Sequence, residues 1–503
     1  MAQDHRLSWS CTLSSITRAF KASPNLSLVY TDRMQSTYQF AITRLNVNRL
    51  RALTWRPVLW FAILWQALLS ATPLSAETSA SPTAPILNLE QRARFIDRII
   101  EERVATVLPN LMRRTGIDCW IMVSREYNED PVLKTFLPAN WLSARRTTIL
   151  AIFDHGPNQP LETIAVARYP VGTVFKQGWF PEDQPDQWAR LLEIVTERDP
   201  KAIGINVSNQ FALADGLSQT EHQRLSRTLH EYAKRIQSAE NLAIGWLETR
   251  SASEQTIYPS IVAHAQDLIR RAFSSEAISL GTTTTEDLAW WLREAVEAMD
   301  LEVWFHPSVS RQFRSHHAGS TPAGPSQPKD DLIQPGDLLH VDFGITYLRL
   351  NTDTQQHAYI LRRGESRLPP ALQTAFQQGN ALQDILMSQF ASGRTGNEIL
   401  LASLALAKQR GINGLIYTHP LGFHGHGAGP TIGLWDQQAG ISGRGDYKLY
   451  KNTAHSIELS VTETVEGWGQ PVRIMLEEDA FFDGDSIDFL SGRQTTPWLV
   501  SGQ

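Results

Sequence analysis

Asp342 stands inside the apolar run Asp337-Leu338-Leu339-His340-Val341-Asp342-Phe343-Gly344, and Asp353 follows eleven positions later. A carboxylate midway along an apolar strand is costly to bury unless it is paired or bound to a metal. Two of them on neighbouring strands of a hairpin would present their oxygens to one point. Either one alone reads as an ordinary turn or cap residue. A second piece is His419-Pro420-Leu421-Gly422-Phe423-His424-Gly425-His426-Gly427-Ala428-Gly429-Pro430, where glycines flank three histidines and leave room for close approach of a ligand. Glu458 within 456–461 and Glu478 within 472–482 add carboxylates in strand-like sequence. Four carboxylates and one histidine are the donor mix for a pair of Mn, Co, Zn or Fe ions sharing bridging oxygens. The only cysteines are Cys11 and Cys119, so neither a disulfide framework nor a Cys-based zinc site is available.

The elements that must carry these residues follow from periodicity. Residues 254–271 read as a helix, and Thr284 with Asp287 reads as a capping box ahead of an amphipathic helix over 288–299. Strand signals fall at 337–344 and 358–361, helices at 370–390 and 398–411, and strands from 456 onward. This order fits an α+β domain over 251–503, with helices covering one side of a curved antiparallel sheet. Upstream, helical spacing over 90–114 leads into an apolar strand at 119–123. Further strand signals fall at 147–153, 163–168 and 202–207, with helices at 187–197 and 222–235. An alternating α/β domain over 88–250 follows. It has no phosphate-cradling glycine loop, so it reads as a scaffold and oligomer-contact domain.

Arg49, Arg51 and Arg56 precede an apolar run from Val58 to Leu69 and the small-residue stretch Pro73-Leu74-Ser75-Ala76. A positive flank, a short apolar core and a small-residue exit read as a secretory signal peptide over 49–76, cut after Ala76, with a linker at 77–87. The expected location is periplasmic or secreted, without stable membrane insertion after cleavage. An uncleaved anchor is the weaker reading, because the run is short for a spanning helix and contains Gln66. Residues 1–48 show no periodicity and are assigned upstream of the true start, with Met34 the available internal methionine. A net charge of −6 supplies no basic face, which excludes nucleic acid as a partner.

Taken in order, the acidic and histidine elements resemble the pita-bread metallopeptidase superfamily, which includes prolidase, aminopeptidase P, methionine aminopeptidase and creatinase, and come nearest to Xaa-Pro aminopeptidase and prolidase. Gln334-Pro335-Gly336-Asp337-Leu338-Leu339 is similar to the family's lead into its first Asp ligand, and Asp353 falls at its offset for the second. Gly425-His426-Gly427 resembles its Gly-His-Gly element, Glu458 its Thr-Ile-Glu-Pro segment, and Val472-Arg473-Ile474 with Glu478-Asp479 its closing Val-Arg-Ile-Glu-Asp strand. The resemblance implies a C-terminal pita-bread domain preceded by a creatinase-type N-terminal domain. It implies Asp342 on one metal, His426 and Glu458 on the other, Asp353 and Glu478 bridging, and Glu458 also as general base.

Two departures stand out. Three extra residues separate Ile474 from Glu478, which leaves Glu477 open as the last ligand. The histidine expected shortly after the ligand His is missing, since 431–436 read Thr-Ile-Gly-Leu-Trp-Asp and put Trp435 in its place. His424, assigned as catalytic, or His419 would substitute. His316, His317 and His306 compete for the family's upstream histidine. The activity implied is a dinuclear, Mn-dependent release of the first residue from short Xaa-Pro peptides by a homodimer. The alternatives are a metal-dependent lyase or small-molecule hydrolase, and a catalytically silent binding protein, on the same fold.

Overall fold

A computed structural model describes residues 84–314 and 332–501. The signal peptide, Met34, His316 and His317 lie outside the described residues. The chain enters through α1 (Leu89–Thr106), closed at its start by a capping box of Asn88 and Gln91, and α2 (Leu108–Thr115). The single helix expected over 90–114 is therefore two. Pro109 has no N–H to continue the ladder of α1, and the break falls at Val107.

β1 (Cys119–Arg125) is apolar at its first five positions, and all five are buried. A strand with no polar alternation needs cover on both faces. It receives that cover in a six-stranded sheet. α3 (Pro131–Phe136), β2 (Thr147–Phe153), β3 (Glu162–Val166), β4 (Lys176–Gln177), α4 (Gln187–Arg198), β5 (Ile203–Ile205), α5 (Gln219–Thr228), β6 (Ile236–Ser238) and α6 (Glu240–Glu248) complete this half. The strand order is β4-β3-β2-β1-β5-β6, with β1 antiparallel to β2 and parallel to β5. Trp120 and Met122 pack with residues of α1, α2, α3 and α6, whereas Cys119, Ile121 and Val123 pack with α4 and α5. The helix expected over 222–235 stops at Thr228 and continues as a 3-10 turn, His230–Arg235.

The second half begins with α7 (Ala252–Ala272) and α8 (Thr285–Glu297), both closed by capping boxes, Ser251 with Glu254 and Thr284 with Asp287. β7 (Glu302–Val303), β8 (Ser308–Gln312), β9 (Leu338–Phe343), β10 (Ile345–Tyr347), β11 (Leu350–Asn351) and β12 (Thr354–Ile360) follow. After α9 (Pro370–Met387) and α10 (Gly396–Gln409) come β13 (Gly414–Ile416), β14 (His419–Leu421), β15 (Thr453–Thr464), β16 (Pro471–Phe482), β17 (Ile487–Phe489) and β18 (Trp498–Val500). The large sheet runs β13-β15-β16-β12-β9-β8, with β14 added to β15, β17 to β16 and β18 to β12.

Strand alternation decides what this sheet presents. Ile457, Leu459 and Val461 of β15 join the core under α9 and α10, which leaves Ser456, Glu458 and Ser460 on the other face. Leu339, Val341 and Phe343 of β9 pack with α7 and α8, which leaves Asp342 opposite them. Register then aligns the polar positions. Asp342 lies across from Gln355, Gln355 from Glu477, and Glu477 from Glu458, a row spanning β9, β12, β16 and β15. Among the described residues no helix is long and apolar enough to cross a membrane.

Candidate metal centre

Asp353 leaves the β11–β12 turn next to this row, and β14 brings His419 against it by pairing His419 with Ser456. The Nε2 atom of His419 lies 3.4 Å from Glu477 Oε1, 3.5 Å from Asp353 Oδ2 and 3.9 Å from Glu458 Oε2. Three overlapping triads have donor atoms within 4.8 Å of one another: Asp342–Asp353–Glu477, His419–Glu458–Glu477 and Asp353–His419–His426. Glu477 belongs to two of them. So does Asp353.

The local chemistry favours a cation. Nδ1 of His419 sits 3.1 Å from the Pro420 carbonyl, which can only accept, so Nδ1 carries a hydrogen and Nε2 is the nitrogen that faces the carboxylates and would serve a metal. Nε2 of His419 and Oδ1 of Asp353 are buried without hydrogen-bond partners. Each such atom costs on the order of 1–3 kcal/mol. Burial, then the charges of Asp353 and Glu477, push the Asp342 carboxyl well above its usual range. Burial and Glu477 push Asp353 up to about 7, and the same two causes raise Glu458 well above the usual value. Burial alone would lower the His419 pKa, but its contacts with Asp353 and Glu477 outweigh that and raise it. Carboxylates crowded in a dry pocket demand protons or metal, and carboxylate oxygens with one imidazole suit Mn, Co, Zn or Fe. The residues present fit such ions.

A supporting layer fixes the donors. Gln355 Nε2 donates to Glu458 Oε1 and, at 2.6 Å, to Glu477 Oε2, while its Oε1 lies 2.9 Å from His340 Nε2. Burial and the nearby His357 lower the His340 pKa to about 3, so His340 is neutral and its Nε2–H orients the amide. Ser456 Oγ donates to Glu477 Oε1. The Asp353 amide donates to both oxygens of Asp479, 3.2 Å each.

Sequence reading named Asp342, Asp353, His426, Glu458 and Glu478 as ligands, and the structure gathers the first four. Glu478 lies on the other face of β16 from Glu477. There its carboxylate accepts from Gln266 Nε2 at 2.7 Å, Gln356 Nε2 at 2.8 Å and the Gln494 amide at 3.0 Å. Burial raises it to about 7. Glu477, the open alternative, is the one in the group. His419 enters where His426 was expected, and His426 borders the group with its ring 4.7 Å from that of His419. His426 stands seven positions after His419 in the sequence. Trp435 is 71% exposed. His424 is outside the triads, and burial followed by Arg250 lowers its pKa to about 4. His306 packs against Trp290 beside Arg293.

Two residues escaped sequence reading. Trp304 donates from Nε1 to the Thr352 carbonyl at 2.8 Å, and its ring lies 5.2 Å from that of His426. A Cβ on Gly425 would come within 2.3 Å of that indole, so glycine is required there. Gln355 carried no signal at all, being a polar residue in an otherwise unremarked strand.

Residues 260–479 match the model of metallopeptidase family M24. Among solved structures the chain is similar to an X-Pro aminopeptidase from Thermotoga maritima, at 17% identity and a TM-score of 0.55 over 78% of this chain and 100% of that one. It is also similar to a putative aminopeptidase P from Bacillus anthracis, at 12% and 0.52 over 78% and 96%. A third likeness is to the dipeptidase PepE from Mycobacterium ulcerans, at 16% and 0.51 over 80% and 99%. No curated protein matches. At these identities the structural likenesses establish the fold.

Proposed function

We propose that the chain, whose residues 260–479 match the model of metallopeptidase family M24, is a dinuclear peptidase releasing the first residue from short Xaa-Pro peptides. The observation that carries this reading is the pair of triads sharing Glu477. Asp342 would serve one ion, His419 and Glu458 the other, and Asp353 with Glu477 both. Mn is the first choice, with Co, Zn or Fe as alternatives. Two divalent cations so held would acidify a water and polarise the scissile carbonyl.

The chain's own groups supply the rest. Glu458 Oε1 is held by Gln355, which leaves Oε2 on the side of His419 to take the proton of the attacking water and pass it to the leaving nitrogen. His426 is the exposed member of the third triad and can donate to the substrate carbonyl oxygen as charge develops there. Trp304, anchored on Thr352, offers an apolar wall beside His426 for the substrate. The lyase and small-molecule alternatives rested on an absent histidine, and the position of His426 beside His419 supports the peptidase reading. The leader-like segment 49–76 supports an exported enzyme.

The test is metal analysis with a substrate panel. Protein stripped of metal and reconstituted with Mn is assayed on Xaa-Pro peptides with Xaa-Ala controls. Near two equivalents of metal and proline-selective release of the first residue are expected. Bound metal with no peptide cleavage would overturn the peptidase assignment.

A further inference from the structure

The segment between His419 and His426 is gripped from outside the metal centre. Arg103, on α1 in the N-terminal half, is fully buried together with Arg250, at the junction of the two halves, and Glu254 of the C-terminal half. Arg103 Nη1 donates to Glu254 Oε2 at 2.5 Å and to the Thr249 carbonyl at 2.6 Å, and Nη2 donates to the Trp246 carbonyl. Arg250 donates to Glu254 Oε1 at 3.2 Å and to the Leu247 carbonyl. One carboxylate thus serves two guanidiniums. Burial alone would raise the Glu254 pKa, but Arg103 and Arg250 hold it below the usual value, so the carboxylate stays charged.

Phe423 lies at the focus of both cations. The guanidinium carbons of Arg103 and Arg250 each sit 4.8 Å from its ring centroid, and Arg103 also stacks over Trp246 at 4.3 Å. Guanidinium–aromatic contacts are stronger when desolvated than at exposed sites. Next to it, a Cβ on Gly422 would stand 2.9 Å from Arg250 Cζ, so the guanidinium packs directly on that backbone. The Gly422 carbonyl accepts from the Asn351 amide at 2.8 Å and from Asn351 Nδ2 at 3.0 Å, two residues before Asp353. Tyr258 in turn donates to the Asn351 carbonyl at 2.5 Å.

We propose that Arg103 is a positioning residue for the metal centre: with Arg250 it clamps Phe423 and so sets where His419 and His426 stand relative to Asp353. The N-terminal half then acts on the chemistry through this clamp rather than only as a scaffold. The inference rests on the reading of His419 as a metal ligand.

The test uses the full chain, with Phe423→Leu and Phe423→Met, which keep an apolar side chain and remove the ring, and Phe423→Tyr, which keeps it. Free Mn(II) is followed by electron paramagnetic resonance as metal-stripped protein is titrated, with circular dichroism melting alongside and His419→Ala as comparator. Both ring-less variants are expected to stay folded, with a cooperative melt somewhat below wild type, and to bind Mn at least tenfold more weakly, with the loss restored in Phe423→Tyr. Arg103→Lys, which keeps charge without the planar fork, is expected to fall with the ring-less pair. Wild-type Mn binding in the ring-less variants, while His419→Ala loses Mn, overturns the clamp and leaves the site reading intact. Normal Mn binding by His419→Ala overturns the site reading, and the clamp with it. Loss of the fold in both ring-less variants also overturns the clamp, since Phe423 would then be a stability residue.

Discussion

Glu477 and Glu478 are neighbours with opposite surroundings, and exchanging each for glutamine separates them. Glu477→Gln removes one buried charge from two triads. It also relieves repulsion, because the Glu477 charge helps to raise the pKa values of Asp342, Asp353 and Glu458. The metal-free variant should therefore melt close to wild type, the relieved repulsion offsetting the cost of turning an NH2 toward Gln355 or Ser456. Its response to metal should collapse. Altering a residue that merely supports a metal ligand costs roughly 10–100-fold in affinity, so loss of a shared ligand is set at about 100-fold or more. At Mn equal to about 100 times the wild-type Kd, binding stabilises wild type by about 2.7 kcal/mol and this variant by about 0.4. The Mn-induced rise in Tm, read by scanning calorimetry, should shrink to about one seventh of the wild-type value. Glu478→Gln should do the reverse. Its carboxylate accepts three hydrogen bonds, and an amide can keep two while turning an NH2 toward a donor, at a cost of about 1–3 kcal/mol. The melt falls and the Mn response stays. Retained Mn response in Glu477→Gln together with its loss in Glu478→Gln would refute the assignment.

Glu248 gives a pH signature away from the metals. It is fully buried at the end of α6, accepts a hydrogen bond from Tyr447 at 2.9 Å, and is raised by burial to about 8. The folded state then holds a proton that the unfolded chain has released, so this contribution is complete below the unfolded value near 4.5 and is lost as pH climbs toward 8. The loss approaches about 1.4 kcal/mol per pH unit, and Glu248→Gln should flatten urea-denaturation stability between pH 5.5 and 7.5 relative to wild type. His426→Gln should lower kcat by roughly 100-fold or more at saturating metal, whereas His424→Gln should leave steady-state kinetics near wild type. Equal losses in the two would contradict the placement. Trp304→Phe deletes the indole bond to Thr352 and should raise KM more than it lowers kcat while weakening the Co(II) quench of intrinsic fluorescence; an unchanged quench would remove Trp304 from the site.

Much of the centre was readable because its carboxylates interrupt apolar strands. Asp342 and Glu458 stand where alternation turns a residue away from the core, and that pattern survives in the linear text. The choice between Glu477 and Glu478 did not survive, because it depends on register: only the pairing of Glu477 with Glu458 tells which of two adjacent glutamates faces the row. His419 and His426 were interchanged for a related reason. The Gly427 amide donates to the Pro420 carbonyl at 2.8 Å, folding the glycine-rich segment back so that two histidines seven positions apart meet. The capping box of Thr284 with Asp287 was legible, whereas that of Ser251 with Glu254 went unread, and α7 starts at Ala252, ahead of the expected 254. Arg103 was invisible, since nothing near Val104 announces a partner as distant as Glu254.

The placement of Cys119 on the doubly covered β1 has a practical consequence. Its side chain is fully buried and burial raises its thiol pKa, so the folded protein offers no reactive thiolate there. In a chain starting at Glu77 it is the sole thiol. Modification by an aromatic disulfide reagent then requires the N-terminal sheet to open, and the rate of colour release becomes a clock for that opening. The same silence makes the molecule a clean background for attaching a probe at a cysteine introduced elsewhere.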